Sequence, residues 1–271
     1  MTGRDTAAGP VVLSAVQDGV LTVTLNRPEV RNALIPDVSN LLAEAFESAA
    51  TNPAVRAAVL AGTGKSFCAG GDARFKNADF PTGWAAFERS VTALTSFPKP
   101  LVIRVQGHAI GAGCTLALLG DFVVAEDDAI FRFPFVHMGL VPEGAYVVTQ
   151  LVRPVVARSF VLLGEPLTGA EAASVGLIHQ AVPTGSLDQA VGEIVGKVLA
   201  LPGVAIEQVK AGLALAGRAG FEETLEWERV AQAELRALPG SEELRADYFR
   251  GLKIAAKDIA APRRTSGQGT P

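Results

Sequence analysis

The chain has 271 residues, 49% hydrophobic and 19% charged, which is enough apolar material to bury a large core as one big domain or two small ones. A net charge of -4 with dispersed Lys and Arg gives no electrostatic footprint for nucleic acid, and no apolar run reaches the ~20 residues that cross a bilayer. Met1 to Pro10 is polar and small, unlike a secretory leader, and Cys68 and Cys114 offer neither a disulfide framework nor metal-site spacing, so a cytoplasmic protein without a metal is expected.

In chain order, Val11–Gln17 and Val20–Asn26 are β-rich runs joined by Asp18-Gly19, a strong hairpin signal. Pro36 opens a helix with Val38, Leu41, Leu42, Ala45, Phe46 and Ala49 on one stripe. Ala57–Ala61 reads as a short buried strand, Leu101–Gln106 as a strand, Ala112–Leu119 as a helix and Phe122–Ala125 as a strand. That alternation predicts an α/β core with largely parallel pairing and right-handed crossovers. From Tyr146 onward helices dominate: Tyr146–Val152, Pro154–Leu163, Gly169–Val175, Leu187–Ala200, Val204–Ala216, Phe221–Leu238 and Glu242–Leu252, interrupted by a strand over Leu177–Val182. The last three carry Leu225, Trp227, Val230, Leu235, Tyr248 and Phe249, apolar surface of which a part is expected to be covered by a partner subunit rather than by the same chain.

Gly62-Thr63-Gly64-Lys65-Ser66 ends like a phosphate-binding loop, but Val59 stands where the first glycine belongs and no apolar helix follows, which argues against a nucleotide hydrolase. Two other strand-to-helix turns are more informative. Gly70-Gly71 leads into Asp72, which suits a helix N-cap or first turn, and Gly107 to Gly113 precedes the helix at Ala112. Either turn alone is explained by tight packing; two such turns together are what holding an oxyanion requires. Downstream, Phe133 to Gly144 is an apolar run in which Glu143 is the only acid. A carboxylate delivered into apolar surroundings becomes a better base, although Pro-Glu-Gly is also an ordinary turn.

Asn26-Arg27-Pro28 with Asn32-Ala33-Leu34, Phe67-Cys68-Ala69-Gly70-Gly71-Asp72, Gly107-His108-Ala109-Ile110-Gly111-Ala112-Gly113-Cys114, and Leu163-Gly164 through Gly176-Leu177 together resemble the enoyl-CoA hydratase/isomerase (crotonase) superfamily over about residues 11–255. The resemblance implies a ClpP/crotonase-like α/β spiral of repeated ββα units over residues 1–200 and a helical C-terminal trimerisation region over 201–271, as a homotrimer or a dimer of trimers. It implies an acyl-CoA thioester substrate, coenzyme A being part of that substrate and no other cofactor being needed. Its carbonyl would sit between the N–H groups of Gly71 and Ala112, with the Ala69 carbonyl at the adenine and Arg27 or Arg31 near the phosphates. Gly70, Asp72, Gly113 and Phe135 complete the implied binding set.

Two positions that hold glutamate in hydratases of the family are Thr115 and Phe135 here, so the second acid that hydration needs is missing. The run Pro134-Phe135-x-His137-x-Gly139-Leu140-x-Pro142-Glu143-Gly144 is instead similar to the peroxisomal-type Δ3,Δ2-enoyl-CoA isomerase branch, which implies that Glu143 is the base. The expectation is a shift of 3-enoyl-CoA to trans-2-enoyl-CoA. The alternatives are an enoyl-CoA hydratase, another enolate reaction, or an acyl-CoA-binding homologue without catalysis. Phe75, Phe80, Trp84, Phe87 and Phe97 are candidates for an acyl tunnel or for core, Lys253 for a CoA phosphate contact or exposed surface. His108, His137, His179 and Asp121 are read as structural.

Overall fold

The computed structural model describes residues 9–74, 79–248 and 250. Strands β1 (Val12–Gln17) and β2 (Val20–Leu25) pair antiparallel with Gln17 opposite Val20. The intervening Asp18 and Gly19 have φ of 51° and 82°, as a two-residue hairpin turn of matching twist demands. Helix α1 (Pro36–Ala50) starts on a proline and buries Val38, Ser39, Leu42, Ala43, Phe46 and Ala49. Leu41, expected on that stripe, is 40% exposed; Ser39 and Ala43 take the inner face because their small side chains let the helix lie close to its neighbours.

Six strands form the large sheet in the order β1, β2, β3 (Ala57–Gly62), β4 (Leu101–Val105), β6 (Phe122–Glu126) and β9 (Gln180–Val182), parallel beyond the first pair. β3 is buried on both faces, as a central parallel strand should be. Its Ala58 and Leu60 join the main core with Phe46, while Ala57 and Val59 face a second cluster with Val191 and Ile194 of α7 (Leu187–Leu199).

A smaller second sheet holds β5 (His108–Ile110), β7 (Ile130–Arg132) and β8 (Leu167–Thr168). Single bridges extend this layer, Cys68 to Ala109 and Leu34 to Gly71. The repeated unit is thus a strand for the large sheet, a strand or bridge for the small one, then a helix: β3, Cys68 and α2 (Phe80–Thr95); β4, β5 and α3 (Ala112–Leu118). That is the ββα repetition expected.

The remaining helices are α4 (Ala145–Leu151), α5 (Pro154–Leu163), α6 (Gly169–Ser174), α8 (Gly203–Ala216) and α9 (Phe221–Ala237), with residues 241–248 also helical. The strand expected over Leu177–Val182 is limited to Gln180–Val182. Leu177 and Ile178 are apolar because they are buried behind α6, where the Leu177 N–H donates to the Ala172 carbonyl at 2.8 Å. α6 carries a reciprocal cap between Thr168 and Glu171. The chain divides into two compact units, one ending at Lys210 and the other beginning at Ala211. In the second, Trp227 lies against Gly212, and Leu225, Val230 and Tyr248 are exposed. Phe249 and Lys253 fall outside the described residues, as does Phe75. Among the described residues no single helix is long and apolar enough to cross a membrane.

The β4–β5 turn has no room for a side chain: Gly107 has φ 61°, and a Cβ there would run into the Lys65 carbonyl oxygen. Gly107→Ala is expected to cost about 2–4 kcal/mol, combining left-handed strain with overpacking. Denaturant unfolding checks this; an unchanged midpoint would contradict the packing described.

Candidate active site

Two peptide N–H groups are left over by the way the second layer is stitched. Asn32 is 1% exposed and sits in the left-handed region at φ 57°. Its Nδ2 reaches the carbonyls of Thr63 (2.9 Å), Ser66 (2.8 Å) and Phe67 (3.1 Å), while its Oδ1 accepts the Arg27 N–H at 2.8 Å. This pins the loop after β3 to the segment before α1. Leu34 then brackets Gly71: its N–H donates to the Gly70 carbonyl at 2.7 Å and its carbonyl accepts the Asp72 N–H at 2.9 Å. The Gly71 N–H is turned away from this pairing and has no acceptor among the described residues. Gly70 is required twice over, by φ 88° and by the Ile110 carbonyl oxygen, 2.7 Å from where a Cβ would stand.

The second donor arises at the start of α3. Gly111, at φ 53°, donates its N–H to the Arg132 carbonyl at 2.9 Å, and its own carbonyl accepts the Thr115 N–H at 3.0 Å. Ala112 is the first helical residue, so its N–H has no intrahelical partner and finds no other acceptor among the described residues.

Gly71 and Ala112 line one cleft with Glu143, together with Asp72, Leu34, Ile35, Pro36 and Ser39 on one side and Phe80, Gly83, Trp84 and Phe87 of α2 on the other. Its cavity volume is about 120 Å³, and it is partly open to solvent. Glu143 follows a short 3-10 turn (Phe135–Met138) that ends at Gly139, φ 69°. Its carboxylate makes no hydrogen bond or ion pair among the described residues, and burial pushes its pKa above the ordinary 4.5. Asp72 is the opposite case. Arg74 at 2.7 Å, a backbone N–H of the same residue, and Arg27 at 3.3 Å outweigh burial and hold it well below the usual carboxylate range.

The structure therefore brings together Glu143, Gly71, Ala112 and Asp72, with Gly70 directly behind, and moves other expected site residues elsewhere. The Arg27 guanidinium is committed to the Ala33 carbonyl and to Asp72 and is 11% exposed, which makes it a clamp for the Gly71 loop; Arg31 is the exposed arginine of the pair. Gly113 faces away from the cleft, where a Cβ would strike Cys68. Phe135 is buried behind Gly111, its ring 5.9 Å from Phe133, and does not line the cleft. Asp72 caps a turn through the Arg74 N–H at 3.1 Å; the residues that would continue it into a helix lie outside those described.

The Ala69 N–H donates to the Arg31 carbonyl. Phe97 packs edge-on against Phe46 in the core, whereas Phe80, Trp84 and Phe87 do line the cleft. Cys68 is buried, its thiol pushed up to about 12, so it is inert. Asp121 accepts the Leu101 N–H and pairs with Lys210, and His179 lies edge-on to Phe122. Among the described residues no cluster fits a metal ion. Neither the helical state of α2 nor the clamping contacts of Asn32 are evident from local sequence. α2 is obscured by Pro81 and Gly83 in its first turn, though Ala86, Phe87, Ser90, Ala93 and Leu94 keep helical spacing. Asn32 stands in the Asn32-Ala33-Leu34 motif, but its carbonyl partners on Thr63, Ser66 and Phe67 are remote in sequence and leave no local mark.

The sequence model of a family described as "Enoyl-CoA hydratase/isomerase" matches residues 15–243. The chain is 32% identical over 252 residues to the 1,2-epoxyphenylacetyl-CoA isomerase of Escherichia coli strain K12, covering 89% of this chain and 93% of that one. It is 38% identical over 180 residues to the 2,3-dehydroadipyl-CoA hydratase of the same organism, covering 62% and 68%. The crystal structure of an enoyl-CoA hydratase from Mycobacterium smegmatis superposes with a TM-score of 0.84 at 29% identity, covering 90% and 97%. The fold is the crotonase fold.

Removing the Asn32 amide leaves buried carbonyls without donors, so Asn32→Ala should cost about 2–4 kcal/mol in denaturant unfolding; a loss below about 0.5 kcal/mol would contradict its clamping role. Glu143 stands the other way. Its folded pKa is raised, so its contribution to stability is full below the ordinary value of 4.5 and is lost as pH rises through the folded value. Glu143→Gln is therefore expected to melt higher than wild type at neutral pH, with the gain vanishing well below 4.5. A melting difference independent of pH would contradict the burial of this carboxylate.

Proposed function

The chain belongs to the enoyl-CoA hydratase/isomerase family, and from that premise we propose that it shifts the double bond of a 3-enoyl-CoA to the trans-2 position by one-base proton transfer. The observation that carries this reading is one cleft lined by two N–H groups without an acceptor and a partly desolvated carboxylate without a partner among the described residues. The thioester oxygen accepts hydrogen bonds from Gly71 and Ala112. Glu143 removes a proton from C2, the C–H electron pair forms the C1–C2 double bond of a dienolate, and the carbonyl π pair moves onto the thioester oxygen, which carries the charge. The same carboxyl returns the proton at C4, leaving the double bond at C2. Charge that develops only in the transition state is what such fixed donors stabilise, by about 3–4 kcal/mol each.

One acid suffices for this sequence, whereas adding water across the double bond needs a group to activate water and another to protonate carbon. Asp72 is the other carboxylate in the cleft, and its two arginines keep it ionised and occupied. Thr115 and Phe135 carry no acid. The apolar wall from Phe80, Trp84 and Phe87 favours return of the proton over its loss to water. Coenzyme A enters as part of the substrate, with the exposed Arg31 available to its phosphates. Exposed Leu225 and Val230 on α9 support self-association as a trimer or a dimer of trimers.

The hydratase names among the relatives favour hydration as the second reading. Glu143→Gln is expected to lower kcat for 3-enoyl-CoA isomerisation by about 10²–10⁴-fold with CoA affinity retained. Full activity in that variant would overturn the assignment. Fast hydration of crotonyl-CoA by wild type would favour the second reading, and ligand binding with neither reaction would indicate a binding protein.

A further inference from the structure

The turn that carries Glu143 rests on one residue of α3. Thr115 is fully buried, one helical turn after Ala112. A Cβ on Gly144 would stand 2.7 Å from Thr115 Cγ2 and 2.9 Å from its Cβ, and would collide with Oγ1. Gly144 has φ -142° and ψ 17°, so its conformation does not call for glycine. The glycine is there for room: its Cα is seated on the Thr115 side chain. The Thr115 hydroxyl donates to the Gly111 carbonyl at 3.4 Å, and Gly144 opens α4, its carbonyl accepting the Val147 N–H at 3.1 Å.

We propose that Thr115 is a positioning residue for the base: by filling the space beneath Gly144 it sets where the Glu143 turn stands relative to the Ala112 N–H, and by the same contact it bars a longer side chain, a second carboxylate included, from position 115. This rests on reading Glu143 as the proton carrier. One short buried helix then carries both halves of the chemistry, a donor at its first residue and the seat of the base one turn on. The distance between enolate oxygen and base is held by helix geometry rather than by the exposed loop over 136–141. The other charged groups at the cleft, Asp72 with Arg27 and Arg74, neutralise one another in part and do not pair with Glu143, whose environment is set by burial.

The test compares the full chain carrying Thr115→Ala, Thr115→Val or Gly144→Ala with wild type. Two readouts are taken: kcat and KM for 3-enoyl-CoA, and the titration of Glu143 followed by carbon NMR of carboxyl-labelled glutamate, assigned with Glu143→Gln. Misplacing a reacting group by about 1 Å costs roughly 100-fold, so Gly144→Ala should lose about that much in kcat with KM within a few-fold. Thr115→Ala, which leaves a gap instead of a clash, should lose about tenfold. In both, the Glu143 titration should fall toward the ordinary carboxylate range. Thr115→Val keeps the shape and should recover most of what Thr115→Ala loses, in both readouts.

Wild-type kcat and titration in Gly144→Ala and Thr115→Ala would overturn the proposal, as would a Thr115→Val protein as impaired as Thr115→Ala. Should Gly144→Ala fail to fold, the Ala and Val variants at 115 decide. A wild type that does not isomerise but shows the titration pattern refutes the reaction and keeps the seat. An isomerising wild type with unmoved variants keeps the reaction and refutes the seat.

Discussion

Everything at this site depends on two peptide N–H groups that have no acceptor among the described residues. Gly71 is exposed and Ala112 is buried, and neither N–H has an acceptor among the described residues because the neighbouring carbonyls are engaged elsewhere. Leu34 fixes Gly71 by bonding the residues on either side of it, and Gly111 fixes Ala112 by using both its own N–H and its carbonyl elsewhere. Behind them Asn32 and Arg27 tie the loop after β3 to the segment before α1. Rigid donors are worth more to a developing oxyanion than mobile ones, because no reorganisation is needed when charge appears. The small second sheet is therefore the part of the architecture that matters most for the cleft.

The carboxylate is arranged on the contrary principle. Asp72 is surrounded by cations and stays ionised, while Glu143 is left alone in partly apolar surroundings that raise its proton affinity. Two acids in one cleft with pKa values pushed in opposite directions have separable duties. Asp72 braces the Gly71 loop through Arg27, and Glu143 makes no hydrogen bond or ion pair among the described residues. Burying an unpaired carboxylate costs stability, a cost accepted at sites where reactivity is selected over rigidity.

Much of this was legible before any coordinates. The Asp18-Gly19 hairpin, the α1 stripe, the apolar strands that begin at Ala57 and Leu101 and the two glycine turns all follow from local rules, because in each a backbone conformation or a periodicity leaves a direct mark on composition. The short strands β5, β7 and β8 are only two or three residues long, too short for alternation to register, and β8 carries just Leu167 and Thr168. Leu177 and Ile178 looked like strand because burial in the core and pairing in a sheet call for the same side chains. Arg27, Gly113 and Phe135 were legible as important but not as to which way they face. That choice is made by contacts with Asp72, Cys68 and Gly111, each remote in sequence or on another element. The fold and the cleft's three central residues could be read; the bracing around them is a tertiary property.

The most direct measurement is a crystal structure of the protein with a bound, unreactive acyl-CoA. The thioester oxygen is expected to lie about 3 Å from both the Gly71 and Ala112 nitrogens, with a Glu143 carboxylate oxygen close to C2 and C4 of the acyl chain. A thioester oxygen bound away from those two amides, or a Glu143 side chain turned out of the cleft while they are occupied, would contradict that arrangement.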